Sequence, residues 1–112
     1  MEIDFSSKKL AKQCDTEKSR TKAFGQERAK RLGRRLTALV GATNLGDLKD
    51  VPGRLHALRG DRAGQLSFDL DGPHRLIFEP VTNPDNPVNC ADPAEWSKIT
   101  HIRLLGIEDT HE

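Results

Sequence analysis

The stretch that decides the fold is Q-L-S-F-D-L-D-G-P-H-R-L-I-F-E, residues 65–79. Leu66, Phe68 and Leu70 alternate with Ser67 and Asp69, the period of a strand with one face in a core. Asp71-Gly72 is a strong short-range hairpin signal, and Pro73 behind it argues against the tightest two-residue turn. The returning run, residues 74–79, turns Leu76 and Phe78 inward and sets Arg75, Ile77 and Glu79 on the other face.

Upstream the period changes. Residues 26–40 predict a helix whose apolar stripe is Ala29, Leu32, Leu36, Leu39 and Val40, with Gly41 as terminator. Gly33 inside it costs about 1 kcal/mol relative to alanine. Arg28, Lys30, Arg31, Arg34 and Arg35 cover the rest of its surface. Residues 2–5 read as a first strand, with Ile3 and Phe5 on one face. Ser6 or Ser7 then caps a helix that turns Leu10, Ala11 and Cys14 inward. Residues 15–25 are polar and poorly periodic, and read as a connection or loosely helical turn. Residues 44–54 read as a loop with one short helical turn, closed by Pro52-Gly53.

Downstream, residues 80–98 hold four of the six prolines, with Asn83, Asp85, Asn86 and Asn89 beside them. They read as a long loop, with Trp96 pinning its far end by packing. Residues 99–107 read as the last strand. The expected architecture is therefore a single α+β domain over residues 1–112. It has an N-terminal strand and two helices packed on an antiparallel or mixed sheet of four to five strands, with the 80–98 loop inserted.

Composition narrows the function. The two cysteines, Cys14 and Cys90, make no disulfide scaffold and no C-x-x-C pair, which speaks against structural zinc. Residues 1–5 do not resemble a signal peptide and no run reaches membrane-spanning length, so the expected compartment is the cytoplasm. The net charge of +1 hides a gradient. Residues 1–40 carry eleven Lys or Arg against five Asp or Glu, and residues 80–112 carry two against six. A basic N-terminal half favours a polyanionic partner, or an acidic one.

Chemistry concentrates in two places. Leu55 to Arg62, L-H-A-L-R-G-D-R, sets His56 and Arg59 just ahead of the hairpin, and Asp109 and His111 stand at the end of the last strand. No metal-ligand spacing, glycine-rich phosphate loop or nucleophile elbow accompanies them, and no cofactor is expected. Two imidazoles, a carboxylate and several guanidiniums are the inventory for cleaving RNA at a ribose. Histidine moves protons near neutral pH, and arginine's planar fork matches two phosphate oxygens.

The string over residues 54–79, R-L-H-A-L-R-G-D-R-A-G-Q-L-S-F-D-L-D-G-P-H-R-L-I-F-E, resembles the HigB branch of the RelE/ParE toxin superfamily, the plasmid maintenance killer proteins. The ending G-I-E-D-T-H, residues 106–111, is similar to the family's Asp-Tyr-His close. Residue by residue, the resemblance implies His56, Arg59, Arg75, Asp109 and His111 as the catalytic set. Arg59 stands where the family has lysine, His74 where it has an aromatic residue, and Thr110 where it has tyrosine. The implied protein is the toxin of a type II toxin–antitoxin system: a metal-independent, ribosome-dependent endoribonuclease that cuts mRNA in the A site. The implied partners are rRNA, contacted through Arg28, Lys30, Arg31, Arg34 and Arg35, and a helix-turn-helix antitoxin through which alone operator DNA is bound. The alternatives are a RelE/ParE-fold module with little or no catalysis that binds rRNA or protein, and a gyrase-targeting toxin.

Overall fold

A computed structural model describes residues 1–109. In chain order these form β1 (Glu2–Phe5), α1 (Lys8–Asp15), α2 (Glu17–Phe24), α3 (Gln26–Gly41), β2 (His56–Ala57), β3 (Leu66–Asp69), β4 (His74–Pro80) and β5 (His101–Asp109). Short 3₁₀ helices lie at Leu45–Leu48, Gly60–Arg62 and Pro93–Lys98. The strands make one sheet in the order β1-β5-β4-β3-β2. β1 runs parallel to β5 and every other pair is antiparallel. The α+β class and the mixed five-stranded sheet are those the alternation and hairpin signals predict.

The β3–β4 register pairs Leu66 with Phe78 and Phe68 with Leu76, and all four are fully buried. They share a core with Leu32 and Leu39 of α3 and with Ile102 and Leu104 of β5. Burying side chains of this size contributes about 1.5–3 kcal/mol each, so this layer is the main source of stability.

Three sequence expectations change. The segment read as a connection or loosely helical turn is a regular helix, α2. Thr16 and Ser19 cap each other reciprocally, and Gly25, at φ 85, ends it. No α2 residue is buried, so periodicity had nothing to report; the caps make this helix. Val40 does not join the α3 stripe. It is 62 % exposed, because it sits in the last turn, where nothing covers it. On the sheet's second face, Ser67 and Ile77 are buried at 1 % and 0 % exposure rather than solvated. The tip of the β2–β3 connection reaches across this face. Arg62 donates to Gln65 on its own hairpin and to Glu108 on β5, beyond β3 and β4 in the sheet order.

The proline-rich stretch is held by its own side chains. Asn83, Asn89 and Asp92 accept backbone N–H bonds two residues on. Trp96 is buried and donates Nε1–H to the Cys90 carbonyl at 2.7 Å, the pinning role expected of it. Burial pushes the Cys14 and Cys90 thiols above their usual range; the Arg20 charge partly offsets this at Cys14, and a backbone hydrogen bond does so at Cys90. No helix among the described residues is long and apolar enough to cross a membrane.

Candidate functional site

The site begins with a backbone turn. Gly53 has φ 128, and its carbonyl accepts from Asp69 N–H at 2.7 Å, tying residue 53 to the end of β3. A Cβ here would lie 2.5 Å from Phe68 Cε1 and 2.7 Å from Arg35 Nε, so only glycine fits. Arg54 follows at φ 48, the single described non-glycine residue in the left-handed region. This turn aims the Arg54 carbonyl at the ring of His56, whose Nδ1 lies 2.8 Å away. A carbonyl oxygen only accepts, so Nδ1 carries a proton, and in the neutral ring the lone pair is then on Nε2. His56 is thus held in one ring orientation, half-buried on the edge strand β2.

Arg59, three residues on, is exposed, and its guanidinium has no hydrogen-bond or ion-pair partner among the described residues. Arg75 is placed differently. Its Nε lies 2.8 Å from Asp69 Oδ1, its Nη1 donates to the Gly72 and His74 carbonyls, and its side chain is 16 % exposed. Asp69 Oδ2 also meets Arg54 Nε at 3.3 Å. Arg75 therefore closes the β3–β4 turn. The sheet lattice sets its Cα about 12 Å from that of His56, two strands across and two residues along.

Asp109 comes out on the opposite face. A bulge lets Ile77 face Gly106 while Phe78 faces Leu104, so one extra β5 residue reverses the alternation. Ile107 then pairs with Leu76 in the core, and Asp109 pairs with His74 on that same helix side. His74 is held by α3: Arg28 Nη2 donates to its Nδ1 at 3.1 Å, and Arg28 Nε binds Asp71 Oδ1 at 3.1 Å. Of the residues singled out in the sequence, His56 and Arg75 lie on one face and Asp109 on the other; Thr110 and His111 lie outside the described residues.

The basic helix residues also divide. Arg28 is bound as above. Arg35 donates Nε–H to the Asp69 carbonyl at 2.8 Å and stacks 5.2 Å over the Phe68 ring. Burial, then the charges of Arg31 and Arg34 against that of Asp69, lowers its proton affinity without discharging it. Arg31 pairs with Glu27 one turn back. Lys30 and Arg34 are exposed.

Sequence reasoning missed the structural parts played by Arg28, Asp69, His74 and Arg62. One was legible: a hairpin turning at Asp71-Gly72 places Asp69 opposite Arg75. No sequence signal announces Arg28 with His74, or Arg62 with Glu108. Among the described residues no three His, Cys, Asp or Glu side chains converge as a metal site. No protein-family model matches the chain, and no curated protein matches it.

Proposed function

We propose that the protein is a ribosome-dependent endoribonuclease, the toxin of a type II toxin–antitoxin pair. The observation that carries the reading is the oriented ring of His56, three residues from the Arg59 guanidinium, which is unpaired among the described residues. His56 Nε2 takes the 2′-hydroxyl proton of the ribose. The 2′-oxygen attacks phosphorus, and the P–O5′ bond breaks. His111 gives a proton to the departing 5′-oxygen, leaving a 2′,3′-cyclic phosphate. Arg59 holds the phosphate and offsets charge as it grows in the transition state. Arg75 supports the hairpin beneath and has Nη2 left for an oxygen. Lys30 and Arg34 are the helix cations best placed to track rRNA. A helix-turn-helix antitoxin silences the toxin and alone reads the operator.

The test is cleavage mapping in a reconstituted translation system with wild type, His56→Ala and His111→Ala. Metal-independent cuts with 2′,3′-cyclic ends, lost in both variants, support the reading. Cuts with 5′-phosphate ends, or a requirement for Mg²⁺, overturn it. A second reading is a non-catalytic binding module. It is favoured by the internal engagement of Arg75 and by Asp109 lying across the sheet from His56. Intact RNA with retained ribosome binding selects that reading; gyrase inhibition without RNA cleavage selects the ParE-like one.

A further inference from the structure

An apolar groove of about 820 Å³ runs along the margin of the sheet, between β1, α1 and the C-terminal half of α3. Ile3, Phe5, Leu36 and Val40 form its wall, and Val40 is the one large aliphatic side chain exposed among the described residues. Among the described residues β1 is an edge strand with β5 as its single neighbour, so no further described strand of the sheet covers the groove. Arg20 closes one end. Its Nη1 donates to the Cys14 carbonyl at 2.8 Å, and among the described residues its Nε makes no hydrogen bond and no carboxylate pairs with it. Asp15 is the one acid in the lining. Lys8 and Lys12 share the α1 face of the lining residues Ala11 and Asp15; both are exposed and hold no ion pair among the described residues.

An apolar trough with Arg20 at one end and Lys8 and Lys12 along its α1 side disfavours a second copy of this chain, which would bring the same cations together, and favours a segment of opposite charge. The trough follows α3 from Gly33 to Gly41, about 12 Å at the helical rise. That length matches anchors at i, i+3 or i+4, and i+7 of a partner helix, which span about 10.5 Å. We infer that this groove is a docking surface for an acidic amphipathic helix of a partner protein, with its aliphatic face against Leu36 and Val40 and its carboxylates toward Arg20 and Lys12. The surface lies apart from His56 and Arg59, and its occupancy does not depend on RNA cleavage.

The test uses the full chain and a fluorescent helix-forming peptide of about 14 residues, with leucines at i, i+3 and i+7 and glutamates between. Its control carries lysines in place of the glutamates. Expected are anisotropy-detected binding at least about tenfold tighter for the glutamate peptide, weakening as salt rises, and amide shifts confined to Ala11, Leu36, Val40 and their neighbours. Val40→Asp, at an exposed position that keeps the fold, should weaken binding about tenfold, and Arg20→Gln should also weaken it. Equal binding of both peptides, shifts elsewhere, no shift at all, or unchanged binding by Val40→Asp overturns the inference. So does a concentration-dependent dimer that Val40→Asp dissolves.

Discussion

Replacing Gly53 with alanine tests the link between the core and the candidate site. The new methyl would stand 2.5 Å and 2.8 Å from two carbons of the Phe68 ring and 2.7 Å from Arg35 Nε. Carbon atoms rest about 3.5–4.0 Å apart, so the ring must retreat by about 1 Å. Phe68 is fully buried; overpacking of this kind costs about 1–3 kcal/mol. An L residue held at φ 128 adds about 1–3 kcal/mol. The expected loss is about 3 kcal/mol, a large share of the stability of a domain this size. Urea denaturation should show the midpoint falling by about 1.5 M for an m-value near 2 kcal/mol/M. The same shift moves residue 53 off the end of β3 and the Arg54 carbonyl off His56, so the imidazole ¹⁵N signals should lose the Nδ1–H pattern. Arg54→Gly is the counterpart: it relieves a left-handed residue, keeps the carbonyl, and should change stability by less than about 1 kcal/mol. A Gly53→Ala protein within about 1 kcal/mol of wild type, with the His56 tautomer intact, would refute the claim that this turn is wedged against Phe68 to aim the ring.

Under the proposed function, His56→Ala should lower single-turnover RNA cleavage by about 10²–10⁴-fold while the circular dichroism melt stays unchanged. Trp96→Phe removes the buried donor to the Cys90 carbonyl and should cost about 1–3 kcal/mol in chemical denaturation. Arg62→Ala breaks the strap to Glu108, whose partners are 37 % and 41 % exposed. Its cost should be no more than about 1 kcal/mol and smaller in high salt, with faster amide exchange at residues 60–65. Cys14 and Cys90 have raised pKa values in the folded chain. Below the unfolded value near 8.5 they leave stability flat, and as pH rises above it the unfolded state loses protons first. Stability should therefore fall from about pH 8.5 upward, and the slope should flatten in a Cys14→Ala, Cys90→Ala chain.

What the sequence determined by itself was whatever repeats locally. The alternation of residues 66–70, the Asp71-Gly72 turn and the stripe from Ala29 to Leu39 are short-range consequences of backbone period. They suffice for the α+β class, the central hairpin and most of the core. The stretch carrying His56 and Arg59 was legible as a cluster for the same reason. Tertiary structure decided what depends on contacts between distant segments. Helix α2 exists through reciprocal caps rather than an apolar stripe, and Val40 is exposed because its helix runs past the covered edge. Arg28, Arg35 and Arg75 look like free cations in the sequence, but each is held against the hairpin by groups far along the chain or across a turn. Above all, one extra residue in β5 reverses the alternation and carries Asp109 to the helix side, away from His56. A bulge arises from the pairing of two strands, so no reading of β5 alone contains it.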